Sequence, residues 1–288
     1  MEKLSDFLYV ETVYEWANVG AAVTEVGVVM LDCPVRPTNS LHWQGEVRSL
    51  SSRGIRYLIA TDYHGDHTTG SSFIQDEVII VAPQYVFKEI SKGDNAFSKE
   101  IFVKTLEDRG LSDEAKQVAE AVVPHPQVCF EDSVVLHLEP LTFEVRRMGG
   151  HSPATSSVFI PEEGVIFASD IVINEPCPGL RDANLKEWIE ALNFLEGLSA
   201  DRVVPGHGAI CGMGEVRLLK EYLTEILGMM EEMVRAGRRR EDASTDRSFE
   251  RFFWTDTTRG DYWIQQRKDT FRSGLERVYD EVVRSWNS

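Results

Sequence analysis

The sequence predicts a layered α+β domain followed by a wholly helical segment. Three observations carry that expectation. Short apolar runs of strand length alternate with helical stretches, two of those runs are joined by hairpin-type turn residues, and after Gly214 every apolar pattern has a helical period.

Candidate strands are Val26 to Leu31, Ile55 to Ala60, Val78 to Val81, Val134 to Leu138, Leu141 to Val145, Ser157 to Ile160 and Val165 to Ala168. Pro161-Glu162-Glu163-Gly164 joins the last two as a hairpin. Leu185, Trp188, Ile189, Leu192 and Leu195 recur at helical spacing behind Asn184, which can cap that helix while Glu187 reaches back. Residues 83–122 read as a charged, mostly helical insertion with a break at Gly110-Leu111-Ser112-Asp113. The core domain therefore spans 1–213, and 214–288 forms a helical extension packed on it. Its stripes are Val216, Leu219, Leu223, Ile226, Leu227, Met230 and Met233, then Phe271, Leu275, Val278, Val282 and Trp286. Between them, Phe252-Phe253-Trp254 reads as packing onto the domain, with a pocket cover or a subunit interface as the alternative.

A chain of 288 residues with 42% hydrophobic content can bury a sizeable core. Its 30 basic and 47 acidic residues give a net charge of -17, which opposes general attraction to nucleic acid or an anionic membrane. Arg238-Arg239-Arg240 reads as a solvated helix end. No stretch has the length of a membrane span, the amino terminus lacks a leader pattern, and Cys33, Cys129, Cys177 and Cys211 are too dispersed for a zinc ribbon or disulfide framework. These features point to a cytoplasmic protein with reduced thiols acting on a small-molecule substrate, with a homo-oligomer left open.

The chemistry concentrates in Thr61-Asp62-Tyr63-His64-Gly65-Asp66-His67, directly behind the apolar run ending at Ala60. In an extended segment Asp62 and His64 share a side and can face one metal ion; Asp66 and His67, where a helix should start, can aim at a second. Gly149-Gly150-His151-Ser152-Pro153, Ala168-Ser169-Asp170 and Val204-Pro205-Gly206-His207-Gly208 each place one further potential ligand at a strand end. Asp32 could receive an imidazole N–H or cap a turn, and Thr61 and Ser152 could simply bond to backbone. Pocket walls are expected from loops carrying Trp16, His42, Trp43 and the 174–181 stretch with Glu175, Cys177 and Arg181. His42, His125 and His137 read as surface or core histidines, and Cys177 as structural.

The order of these segments resembles the metallo-β-lactamase superfamily, in which T-H-x-H-x-D-H, G-H-[ST]-P, an aspartate ending a strand and a G-H segment supply two metal sites in an αββα sandwich. The resemblance runs from about residue 10 to residue 212 and includes Asn18-Val19-Gly20-Ala21 with Val28-Val29-Met30-Leu31-Asp32 as the opening hairpin. Residues 182–208 look like the subgroup with lactonase-like, thioesterase-like and quinoprotein-associated members.

Carried over by position, the resemblance implies His64 and His151 at the first metal, Asp66, His67 and His207 at the second, and Asp170 bridging both. Asp62 stands where the family pattern has its first histidine. A carboxylate there implies a first site biased toward manganese or iron, a zinc site of altered geometry, or a weak or empty site; a ligating Asp62 is the favoured reading. The implied cofactor is two divalent ions, zinc first, with manganese or iron as alternatives. The implied reaction is attack by a metal-bridging hydroxide on a small ester, lactone, thioester or amide, with Asp66 positioning it and carrying a proton to the leaving group. A small-molecule phosphodiesterase, a mononuclear iron sulfur dioxygenase and a non-catalytic metal-binding homologue are the alternatives.

Overall fold

The structure is a computed structural model that describes all residues except 94–95, 176, 254–260 and 287–288. Trp254 of the aromatic triplet therefore lies outside the described residues.

Two sheets face each other. The first runs β1 (Glu2–Lys3), β2 (Leu8–Glu11), β3 (Val19–Thr24), β4 (Gly27–Leu31), β5 (Ile55–Ile59), β6 (Ile79–Pro83) and β7 (Val128–Phe130), antiparallel up to β4 and parallel from β4 onward. The second is ordered β12 (Arg202–Gly208), β11 (Val165–Asn174), β10 (Ser156–Ile160), β9 (Leu141–Arg147) and β8 (Ser133–Leu138), with β11 and β12 parallel and the rest antiparallel. The Pro161–Gly164 turn closes the β10–β11 hairpin, Ile160 pairing with Val165.

Strand β4 shows why the first sheet reads as continuous apolar runs: both of its faces are covered. Val29 and Leu31 point inward to Phe143, Val145, Val158 and Phe167 of the second sheet. Val28 and Met30 point outward to Trp43 and Val47. The latter two lie on α1 (Pro37–Arg48), a helix that begins with proline at its first turn. Trp43 is fully buried there, so it is core and not a pocket wall as expected from sequence. Trp16 likewise packs edge-on against Phe102, with ring centroids 4.9 Å apart.

Helices α2 (Gly65–Thr68), α3 (Gln84–Ser91), α4 (Ala96–Asp108) and α5 (Ser112–Glu120) follow on the first sheet's side of the chain order. The outer face of the second sheet is covered by α6 (Leu185–Glu196), α7 (Met213–Arg235), α8 (Arg240–Thr245) and α9 (Asp261–Trp286), which share one apolar cluster with Ile166, Ala168 and Ile171. The architecture is thus an αββα sandwich. Asn184 caps α6 as expected, its Oδ1 accepting from Glu187 N at 3.2 Å. The α9 stripe holds for Phe271, Leu275, Val278 and Val282, whereas Trp286 is 47% exposed beneath the guanidinium of Arg235. Arg238, Arg239 and Arg240 are paired with nearby Asp246, Asp242 and Asp280. Among the described residues no helix is long and apolar enough to cross a membrane.

Candidate metal centre

The site lies where strands of both sheets run out. Behind β5 the chain passes Asp62, bends at Tyr63 and His64, and enters α2, which carries Asp66 and His67. From the second sheet come His151, after β9, and His207, near the end of β12. Asp170 does not end its strand: β11 continues to Asn174, with register breaks on both sides of Ser169, whose φ is +49°. That irregularity turns Asp170 toward the histidines, as bulges beside sites commonly do. Gly206 explains the small residues of the β12 segment, because a Cβ there would collide with Asp170 Oδ1.

Six of the seven expected residues fall into two groups whose donor atoms lie within 4.8 Å of one another. One is His64, His151 and Asp170; the other is Asp66, His67 and His207. Asp170 touches both. Its Oδ2 is 3.2 Å from His151 Nε2, while its Oδ1 is 3.3 Å from His67 Nε2 and 3.3 Å from His207 Nε2. His207 Nε2 is also 3.3 Å from Asp66 Oδ2. Asp62 belongs to neither group. Its carboxylate, fully buried, accepts from Tyr63 N, His64 N, Ser152 Oγ and Thr155 Oγ1, and its Oδ1 stays 3.7 Å from His64 Nδ1.

The residues present fit divalent cations. Imidazole nitrogens and carboxylate oxygens converge, and His67 Nε2 and Asp170 Oδ1 are buried with no hydrogen-bond partner among the described residues. The imidazoles and carboxylates of the cluster shift one another's protonation. Burial opposes charge on His207, but Asp170 and Asp66 prevail and push its imidazole up to about 10. His67 is raised in the same way by Asp170 and Asp32 against its burial. Burial likewise opposes ionisation of Asp170 and Asp66, yet the surrounding histidines hold both below the usual carboxylate range. His151, where burial dominates, is held down. A cation entering this cluster would displace those protons.

The Metallo-beta-lactamase superfamily model matches residues 17–207, about two thirds of the chain. The chain belongs to that superfamily. The beta-lactamase-like protein 2 homolog of Caenorhabditis elegans is 22% identical over 191 residues, covering 66% of this chain and 55% of that protein. A linear primary-alkylsulfatase of Pseudomonas sp. is 21% identical over 209 residues, covering 63% of this chain and 39% of that protein. The chain thus spans less than two thirds of either curated relative. Among solved structures, a metallo-beta-lactamase family protein from Thermus thermophilus superposes with a TM-score of 0.70 at 17% identity, covering 99% of this chain and 95% of that one. At that identity the likeness shows the shared fold.

Superfamily membership leaves the supporting residues to be read from this chain. Asp32 does receive an imidazole: its Oδ2 accepts from His67 Nδ1 at 2.8 Å. Asp32 takes a left-handed φ of +56° at the end of β4, a conformation that suits a residue held on all sides. Thr61 reaches Asp32 by both its N–H (2.9 Å) and its hydroxyl (2.5 Å), so it bonds to a side chain where backbone was expected. Ser152 likewise bonds to side chains, its hydroxyl donating to Asp62 and its N–H to Thr155 Oγ1.

Four contributors escaped the sequence reading as site residues. Asp182 Oδ2 lies 3.1 Å from His64 Nε2. Asn18 donates from Nδ2 to Pro205 O and Gly208 O, both at 2.8 Å, pinning the His207 segment to the first sheet. Trp188 packs edge-on to His151 at 5.1 Å, and a Cβ on Gly150 would come within 2.7 Å of its Cα. Thr155 bonds Asp62. The repeated Ser and Thr after His151 were the available signal for the last; nothing in sequence spacing connects Asp182 to His64. Cys177 is buried and its thiol is pushed up to about 12 by that burial, as suits a structural cysteine.

Proposed function

We infer that the chain is a divalent-metal-dependent hydrolase of a small ester, lactone, thioester or amide. One observation supports the reading: Asp170 places one oxygen beside His151 and the other beside His67 and His207, and His67 Nε2 and Asp170 Oδ1 are buried with no hydrogen-bond partner among the described residues. His64, His151 and Asp170 would hold one ion, and Asp66, His67, His207 and Asp170 the other. The nitrogen-rich donor set favours zinc, with manganese and iron as further tests.

Bound there, divalent ions supply Lewis acidity and an acidified water. The chain's own residues do the rest. Asp32 fixes the tautomer and orientation of His67, and Asp182 those of His64. Asp66 and His207, each with side chains 18% exposed, form the accessible edge of the cluster. At that edge Asp66 would orient the attacking water and carry a proton to the leaving group. The net charge of -17 fits a small substrate better than a nucleic acid. Sulfate-ester cleavage is the second reading, favoured by the likeness to the primary-alkylsulfatase.

The test is a turnover panel of esters, lactones, thioesters, amides, β-lactams, phosphodiesters and alkyl sulfates, run on protein reloaded separately with zinc, manganese and iron. Hydrolysis in at least one metal form is expected, and Asp66→Asn should lower kcat by roughly 10²–10⁴-fold with metal retained. Oxygen consumption by a one-iron form would instead indicate the dioxygenase. No turnover in any form would sink the hydrolase reading.

A further inference from the structure

We propose that Asp62 is a clamp between two loops and not a metal ligand, so that the two metal sites are unequal. A four-donor site is built on Asp66, His67, His207 and Asp170 Oδ1, and a three-donor site on His64, His151 and Asp170 Oδ2. The inference rests on the metal-dependent reading above and adds a grading of the two sites that the reading does not require.

The argument starts from lone pairs. An ionised carboxylate offers about four acceptor positions, and Asp62 meets four donors. Tyr63 N and His64 N donate to Oδ1 at 2.6 and 3.2 Å. Ser152 Oγ lies 2.8 Å from each oxygen, and Thr155 Oγ1 donates to Oδ2 at 2.5 Å. The donors are themselves satisfied in a closed circuit. Ser152 Oγ accepts from Ala154 N and Thr155 N, both at 3.1 Å, and Thr155 Oγ1 accepts from Ser152 N at 3.0 Å.

The two hydroxyls lie 2.9 Å apart, and each reaches Asp62 while accepting from backbone N–H groups. A fully buried carboxylate in such a circuit gains nothing by turning to a cation, because turning would orphan two hydroxyls and two amides. The contrast with the neighbouring atoms is direct. Asp170 Oδ1 and His67 Nε2 are as buried as Asp62 and have no hydrogen-bond partner among the described residues.

What the clamp joins also matters. Asp62 lies on the segment leading to His64, while Ser152 and Thr155 follow His151 on the loop between β9 and β10. The carboxylate thus ties together the two loops that supply the histidines of the three-donor site. Fewer donors and only a share of one carboxylate make that site the weaker of the two.

The test uses the full chain stripped of metal by chelator and titrated with zinc alone by calorimetry. Two binding steps with dissociation constants at least about tenfold apart are expected, His207→Ala removing the tighter and His151→Ala only the weaker. In the metal-free protein, Asp62→Asn and Thr155→Val should each lower Tm, the former by about 5 °C or more, and the double variant should lose less than the sum. Should Asp62→Asn fail to fold, Thr155→Val still tests the clamp, which predicts a lower metal-free Tm. Two zinc ions of equal affinity, or a metal-free Tm untouched by Thr155→Val, would overturn the proposal even with hydrolysis intact. Absent hydrolysis with graded zinc binding would overturn only the functional reading.

Discussion

His67 and His64 stand three residues apart in sequence, and one ring nitrogen of each meets an aspartate. The aspartates differ. Asp32, backing His67, is 4% exposed at the end of a central strand and is gripped by Thr61 through backbone and hydroxyl. Asp182, backing His64, has a side chain 32% exposed and lies between β11 and α6. That segment is held from the C-terminal side. Arg267 donates to Cys177 O at 3.0 Å, Gly274 of α9 packs so closely on Leu180 that a Cβ would come within 3.0 Å of its carbonyl carbon, and Glu281 caps α6. One half of the site is positioned by the sandwich core, the other by the helical extension. The comparison teaches that two neighbouring ligands can inherit very different rigidity, and that residues remote in sequence decide which.

The sharpest way to break this comparison is Asp32→Asn. The substitution keeps the shape but turns a strong acceptor into an amide that must choose between accepting from His67 and from Thr61. Expected is a drop of about 10–100-fold in affinity at the site that uses His67, with the other site nearly unchanged, read by zinc competition against a chelator. Equal loss at both sites would show that the two halves are not separately supported.

Next in size is Glu281→Gln. The Glu281 carboxylate accepts from Leu185 N at 2.8 Å and Lys186 N at 3.0 Å, serving the orphan amides at the start of α6 from a different helix. An amide can offer only one oxygen and turns a donor toward the second N–H. A loss of about 1–2 kcal/mol of stability is expected in urea unfolding. If the extension positions the Asp182 segment, the variant should also weaken zinc binding at the His64 site while sparing the His67 site.

Much of the first half was legible in the sequence and much of the second was not, for a physical reason. His67 depends on Asp32, which follows an apolar strand run, and strand ends beside a ligand cluster are where supporting carboxylates are expected. Asp170 was also visible, although its strand continues past it because a bulge, and not a chain end, turns it inward. Helix α1 was missed because its buried face includes Ser40 and Gln44, which bond to Gly70 O and Phe73 O and so replace the apolar residues that a periodic stripe would show. Glu281 and Asp182 are contacts between segments far apart in sequence, and no local pattern encodes them. Phe271 to Val282 revealed a buried helix face, yet nothing in that face says which loop it holds.

Asp182→Asn sharpens the comparison from the exposed side. Solvent screens this carboxylate, and Arg181 shares it at 3.3 Å. Burial works against its charge, but the hydrogen bond from His64 and the nearby guanidinium hold its carboxyl below the usual range. The expected loss of zinc affinity at the His64 site is less than about tenfold, smaller than that of Asp32→Asn at the His67 site. A larger loss than Asp32→Asn would reverse the ranking and assign the stiffer support to the loop.

The smallest expected effect concerns pH. Burial raises the Glu281 carboxyl above its ordinary value, outweighing the two amide hydrogen bonds and Lys186. A carboxyl raised in the folded state contributes stability that is present below its unfolded value and is lost as pH rises through its folded value. Glutamine carries no such dependence. In metal-free protein the stability gap between wild type and Glu281→Gln should therefore be widest near about pH 4 and narrow toward about pH 7. Urea unfolding of both proteins across that range reads the difference directly, because the other titrating groups are common to both. A gap that widens with pH would mean that the α6 amides stabilise the ionised form more than burial opposes it, and that the extension grips α6 more firmly than its burial implies.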